Sequence, residues 1–157
     1  MRRLVILITG IALLVLVPTA GSASPPLAVD FVVPTSGTAG GASGGPFTAT
    51  GPAVDAGLVC DTGQTIDVFG HAGGFQSGQL LTIQLVKRFT CDDGSGEFDV
   101  KLQVLINTNG DNFQWVVVNG TGAYERLRGT GQGIGLYPDT PADYDVLDLY
   151  SGKVHSD

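Results

Sequence analysis

The chain of 157 residues is long enough for one domain, and its formal net charge of −7 at pH 7 makes it acidic. An acidic protein repels nucleic acid and anionic lipid surfaces, so we expect no nucleic-acid partner. Charged residues make up only 15% of the chain and there are 24 glycines, a composition that favours an extracellular β-domain over a disordered chain.

Residues 1–23 are predicted to be a cleavable signal peptide. Arg2 and Arg3 precede an apolar run over residues 4–17, which is shorter than the roughly 20 residues that a membrane-spanning helix needs. Small residues at Gly21 and Ala23 place the cleavage after Ala23. We therefore expect a secreted protein with no membrane association after cleavage. Without the two positive charges of Arg2 and Arg3, its formal charge would change from −7 to −9.

Residues 24–46 are predicted to be a flexible arm rich in Gly, Ser and Pro. Residues 34–45 have the composition of a flexible linker. Within the apolar piece Leu27–Val33 before this linker, Phe31–Val33 could form an edge strand, but the linker favours a loosely tied arm. A single β-domain is then expected to cover residues 47–157.

Residues 47–157 show the two-residue period of half-buried β-strands. The period is clearest over residues 98–106, which are apolar at one parity and mostly polar at the other. A turn over Asp92–Gly96 and a hairpin signal at Asn109-Gly110 join this segment to strands 80–91 and 112–119, so an antiparallel meander is predicted. The expected fold is all-β: an antiparallel eight-stranded barrel of the calycin-like type, with a β-sandwich as the alternative. Shorter strands are predicted over residues 47–51, 65–69, 131–137 and 145–150.

The chain has two cysteines, Cys60 and Cys91. Export exposes them to an oxidising compartment, so a disulfide between them is expected, with a reactive thiol as the alternative. Such a cross-link would stabilise the fold by roughly 3–4 kcal/mol in the chain-entropy description.

Residues 115–131, WVVVNGTGAYERLRGTG, form the most distinctive motif of the chain. The pattern predicts a strand, a tight corner, a short helical turn and a return strand. Glycines at every second position from Gly129 to Gly135 leave room for another chain or a bulky ring to pack closely on that return strand.

This motif resembles the Val-Val-x-Gly-Thr-Gly-x-Tyr/Phe corner of the allene oxide cyclase and dirigent-like β-barrel superfamily. It is most similar to the small secreted bacterial members, many of which have no assigned activity. The resemblance implies an eight-stranded antiparallel barrel with an apolar cavity. Plant relatives use that cavity to hold a reactive intermediate and to steer its cyclisation or coupling.

Four residues are candidates for binding a ligand inside the barrel: Lys87, Phe89, Trp115 and Tyr124. Lys87 has the parity of the apolar residues in its strand, and a lysine inside a barrel needs an acidic partner or an anionic ligand. Two alternatives remove Lys87 from ligand binding. In one its amine lies in water at the barrel rim, and in the other a bulge shifts the parity so that Lys87 faces outward. The three aromatic residues could line a pocket, although aromatic residues on the apolar face of a strand usually form core.

No catalytic residue is assigned, because neither His71 nor His155 has a visible oriented partner. The acidic residues at 139, 143, 145 and 148 match no calcium loop and are interpreted as a solvated loop, so no metal and no cofactor is expected.

The sequence is compatible with three hypotheses for function. The first is a secreted barrel that binds a small apolar or amphipathic molecule in its cavity. The second is a cyclase or isomerase in which Lys87 and Tyr124 steer a reactive substrate, and the third is a structural cell-envelope protein. An oligomer is compatible with each.

Overall fold

Alternation of inward apolar and outward polar residues produces eight strands, and these close into one antiparallel barrel. The computed structural model describes residues 25–37, 43–73, 81–107 and 110–157. Each strand pairs with its neighbours in the sequence, and β8 closes the barrel on β1. The predicted barrel is confirmed over the sandwich. The strands are β1 Leu27–Thr35, β2 Gly44–Thr50, β3 Thr62–Gly73, β4 Leu81–Cys91, β5 Glu97–Asn107, β6 Gly110–Gly120, β7 Leu127–Leu136 and β8 Val146–Ser156.

Strand β1 lies in the segment predicted to be a flexible arm, so that prediction is wrong for residues 27–35 and for the start of β2. β1 pairs with β8 along its whole length, and Val29, Phe31 and Val33 are at most 2% exposed. The Gly/Ser composition of the neighbouring residues gave no sign of this pairing, because the partner strand is more than 100 residues away in the chain. The predicted signal peptide and its cleavage site lie outside the described residues.

The central meander is confirmed as strands β4, β5 and β6. Gly110 has φ 117 and pairs with Asn107, so β5 is followed by its antiparallel partner β6 at the position where the Asn109-Gly110 signal predicts a hairpin. The short helical turn predicted in the distinctive motif is present as a 3-10 helix over Gly122–Tyr124. A short helix that was not predicted, α1 Pro52–Asp55, follows β2.

Glycines at every second position of β7 let the large side chains of β6 extend across the barrel interior. The register pairs Trp115 with Gly131 and Phe113 with Gly133. A methyl group on Gly131 would come within 2.6 Å of the Trp115 ring, and one on Gly133 would collide with Phe113. The predicted close packing of rings on the glycine row is confirmed.

Aromatic rings fill the interior next to the disulfide, and we call this part of the barrel the stapled end. Phe89 and Phe98 stack with 5.0 Å between ring centroids, and Phe47 meets Phe89 edge-on at 5.1 Å. The predicted Cys60–Cys91 disulfide is present and joins the segment after α1 to the last residue of β4. Phe47, Phe89 and Phe98 are at most 1% exposed, so side chains occupy this end of the barrel.

Candidate functional site

Two carboxylates lie on either side of a glycine at the end of the barrel opposite the disulfide. Asp111 of β6 pairs with Gly135 of β7, which in turn pairs with Asp148 of β8. Asp111 is only 8% exposed, and a methyl group on Gly135 would lie 2.7 Å from its carboxyl carbon. Glycine at this position therefore makes room for a carboxylate inside the barrel. We call Asp67, Lys87, Asp111 and Asp148 the acidic cluster, and this part of the barrel the acidic end.

Lys87 lies inside the barrel, as the parity of β4 predicts. It is 2% exposed, and its Nζ is 3.0 Å from Oδ1 of Asp67 on β3. The alternative that placed its amine in water is therefore wrong. A bulge does occur, but it lies in β3 between Asp67 and Phe69 and leaves Phe69 60% exposed. Among the described residues, Lys87 is the one buried basic side chain.

The surroundings of Asp148 shift the pKa of its carboxyl group. Burial raises its pKa from 3.8 to about 6. A hydrogen bond of 2.8 Å from Oγ1 of Thr35 and the charge of Lys87 oppose this rise, whereas the charges of Asp111 and Asp67 add to it. Groups from β1, β3, β4 and β6 thus act on one carboxyl group, which can hold or release a proton close to neutral pH.

Tyr137 extends over the acidic end from the segment that follows β7. Its hydroxyl donates a hydrogen bond of 2.9 Å to Oδ2 of Asp111. Burial and this hydrogen bond raise the pKa of Tyr137 to about 12, so the hydroxyl stays a donor. The same segment is tied to β1, because the Asp145 N–H donates to the Thr35 carbonyl at 3.0 Å. The Tyr137 ring is 52% exposed and borders the solvent above the buried carboxylate.

Three buried polar atoms have no hydrogen-bond partner among the described residues, and all three lie at the acidic end. They are Oδ1 of Asp67, Oδ1 of Asp111 and Oη of Tyr150. The Asp67 atom is close enough to Lys87 for an ion pair, but the two groups lack the alignment of a hydrogen bond. Tyr150 is 2% exposed, and burial together with the charges of Asp148 and Asp67 raises its pKa. Buried polar groups are nearly always hydrogen-bonded, so this concentration marks a place where a ligand's polar atoms would be accommodated.

An apolar wall continues from Asp111 around the barrel interior. Ile106 of β5 pairs with Asp111, Leu81 of β4 pairs with Ile106, and the inward residues of β4 and β5 at this end are aliphatic. These residues face inward and are only partly buried. The acidic end therefore combines a hydrocarbon surface with a few polar groups. The wall consists of Leu81, Ile83, Leu85 and Ile106.

Of the four predicted ligand-binding residues, Lys87 alone belongs to the acidic cluster. Phe89 is 0% exposed within the ring stack, and Trp115 is 2% exposed and donates from Nε1 to the Gln132 carbonyl at 3.2 Å. Tyr124 lies at the stapled end, where its hydroxyl is 2.6 Å from Oγ of Ser95. The structure thus places Lys87 and Tyr124 at opposite ends of the barrel.

The sequence interpretation missed the carboxylates of the cluster, although two of them carried a signal. Asp111 stands two residues before Phe113 and Asp148 two residues before Tyr150, so both share the inward parity of their strands. Asp148 had been grouped with a solvated acidic loop, which is correct for the exposed residues 139, 143 and 145 and wrong for Asp148. Asp67 carried no signal, because the bulge that follows it interrupts the alternation of β3.

A second concave region lies on the outer surface of the same strands. It is a groove of about 760 Å³ crossed by a row of glutamines, Gln103, Gln114 and Gln132, on β5, β6 and β7. These side chains are exposed, so water can satisfy their amides. The buried polar atoms without a partner among the described residues are all in the barrel interior, so the acidic end is a stronger candidate for a ligand-binding site than this groove.

The described residues contain no group of three or more His, Cys, Asp or Glu side chains placed to hold a metal ion. In the same part of the chain, no helix has the length and apolar character needed to cross a bilayer. Comparison of the chain with protein-family models, with curated proteins and with solved structures found no match.

Proposed function

We propose that this protein acts outside the cell after removal of its signal peptide and binds a small amphipathic molecule at the acidic end of the barrel. The polar part of the ligand would meet Oδ1 of Asp111 and Oη of Tyr150, and its apolar part would lie along the aliphatic wall. The observation that carries the proposal is the pair of buried, unpartnered polar atoms on Asp111 and Tyr150.

The composition of the acidic end supports this proposal. Binding sites for small molecules combine apolar walls with a few convergent polar groups, and groups with perturbed pKa values concentrate in them. At the stapled end, by contrast, stacked rings occupy the interior and Tyr124 already has a hydrogen-bond partner. The acidic end is therefore the part of the interior that is best suited to a ligand.

A second candidate function is a cyclase or isomerase, and the pKa of Asp148 favours it. A carboxyl group with a pKa of about 6 can donate a proton to a substrate and take one back near neutral pH. Asp148→Asn separates the two candidates. Binding alone would persist in this variant, whereas conversion of the bound compound to an isomer, followed by chromatography, would stop.

Native mass spectrometry of the protein purified from its own culture medium tests the proposed binding. We expect an adduct on the wild-type protein, lost or reduced in Asp111→Asn and Tyr150→Phe. Asp30→Asn is the matched control, because Asp30 is exposed on the outer face of β1 and should leave the adduct unchanged. An unliganded wild-type protein that also fails to bind amphipathic probes would reject the proposal and favour the structural, cell-envelope alternative.

A further inference from the structure

The acidic cluster carries more negative than positive charge. Three carboxylates, those of Asp67, Asp111 and Asp148, share the interior with one ammonium group, that of Lys87. Lys87 is committed to Asp67 at 3.0 Å, and the ion pairs of the other described basic residues involve different acids. When all four groups are ionised, the cluster therefore retains an excess of negative charge next to Asp111 and Asp148.

Hydrogen bonds from neutral donors only partly compensate for this excess. Tyr137 donates to one oxygen of Asp111, and Thr35 donates to Asp148. The second oxygen of Asp111 accepts nothing from the described residues, and Asp111 is 8% exposed. A buried carboxylate oxygen without a donor is costly, and a charged donor would satisfy it better than a neutral one.

The shape of the acidic end favours an organic cation over a metal ion. A hard metal ion takes about six or more oxygen ligands, and the described residues provide no group that could hold one. An ammonium group needs fewer acceptors. The rings of Phe113 and Tyr150, 4.7 Å apart between centroids, follow Asp111 and Asp148 at the inward parity of β6 and β8 and add apolar surface there. The aliphatic wall beside Asp111 suits a hydrocarbon body.

We infer that the ligand class of the acidic end is a protonated amine with an apolar body, whose N–H groups donate to Oδ1 of Asp111 while its hydrocarbon part lies against Leu81, Ile83 and Ile106. This inference rests on the proposed function, because it specifies the chemistry of the ligand for the same site. It is independent of whether the ligand is also converted to a product.

Three probes with the same hydrocarbon chain test the inference: octylamine, octanol and octanoate. The chain contains a single tryptophan, and Trp115 lies 6.5 Å from Tyr150 between ring centroids, so its fluorescence reports on binding. At pH 8 we expect octylamine to bind most tightly, octanol less tightly and octanoate not at all. Asp111→Asn should lower the affinity for octylamine by about tenfold or more, since it replaces the charged partner of the ammonium group with a neutral amide of the same size. Octanol binding should change much less.

The controls separate failure of the inference from failure of the proposed function. Asp30→Asn removes one outward carboxylate and should leave all three affinities unchanged. Tyr150→Phe removes the second unpartnered atom without changing charge, and it serves if Asp111→Asn does not fold. If octanol or octanoate binds as tightly as octylamine and depends on Tyr150 or Asp111, the site is right and the cationic class is wrong. If none of the probes binds, the inference is overturned and the proposed function loses its support as well.

Discussion

The two ends of this barrel bury side chains of opposite character within the same eight strands. At the stapled end, Phe89 stacks on Phe98, and the buried hydroxyl of Tyr124 lies within hydrogen-bonding distance of Ser95. At the acidic end, Asp111 and Tyr150 are also buried but retain polar atoms with no partner among the described residues. The stapled end is closed by packed rings and a disulfide, whereas the acidic end contains several charged side chains close together in the interior.

Two carboxylates show the same contrast in their ionisation. Hydrogen bonding to the Arg88 guanidinium, with a distance of 2.8 Å, lowers the pKa of Asp99 on the barrel exterior. Burial raises the pKa of Asp148 inside the acidic end. Natural proteins depart from good packing and full hydrogen bonding mainly at functional sites. The stapled end supplies stability, which allows the acidic end to hold groups that cost stability.

The largest effect is expected from opening the stapled end. The double variant Cys60→Ala/Cys91→Ala should lower the free energy of unfolding by about 3–4 kcal/mol, because the unfolded chain gains the entropy of an open loop. Urea denaturation followed by Trp115 fluorescence measures the change. Octylamine binding by the folded fraction should be unchanged. If the free energy of unfolding falls by less than about 1 kcal/mol, the stapled end does not supply the stability assigned to it, since removal of a native disulfide usually costs more.

A smaller loss is expected when the ion pair of the acidic end is broken. Lys87→Met should destabilise the protein by about 2–3 kcal/mol, because it leaves the partly buried carboxylate of Asp67 unpaired. The double variant Lys87→Met/Asp67→Leu should regain most of this loss, since an apolar pair fits the interior without a desolvation cost. Thermal and urea denaturation of both variants check the prediction. A single variant more stable than wild type would show that the pair contributes nothing to folding.

The smallest effect is a pH dependence of stability centred on Asp148. The pKa of Asp148 in the folded protein, about 6, lies above the ordinary value of 3.8. The stability that this group contributes to the folded state is therefore fully present below about pH 4 and is lost as the pH rises through 6. This rise in pKa corresponds to a free-energy difference of about 3 kcal/mol at most. Between pH 4.5 and 7.5 we expect the free energy of unfolding to fall by about 2 kcal/mol. The groups acting on Asp148 are Asp67, Lys87, Asp111 and Thr35.

Asp148→Asn isolates this dependence. At pH 7.5 the variant should be more stable than wild type by about 2 kcal/mol, because a neutral amide avoids the burial of a charge. At pH 4.5 the two proteins should be similar, since Asp148 is then protonated. Asp30→Asn, on the exposed outer face, should show neither change. Equal stability of Asp148→Asn and wild type at pH 7.5 would contradict the assigned burial of this charge.

Much of the fold was predictable because strand alternation is a local property. The three strands of the meander, the hairpin at Gly110 and the packing of rings on the glycine row followed from residues close in the chain. Strand β1 was not predicted, because its pairing partner β8 is remote in the sequence. Of the candidate site, Lys87 was found by its parity. Asp148 has the inward parity of its strand but was interpreted as part of a solvated loop, and Asp111 was not singled out although it has the inward parity as well.

The sequence by itself determined which residues face inward, because the side-chain period of a strand is fixed at two, and it determined the disulfide, because two cysteines leave one pairing. Only the tertiary structure decided which inward charges meet. Asp67, Asp111 and Asp148 come from three different strands, and barrel closure brings them around one space. The physical reason is that register and closure are non-local: they depend on the pairing of β1 with β8 and on the bulge in β3, which no short segment of the chain specifies.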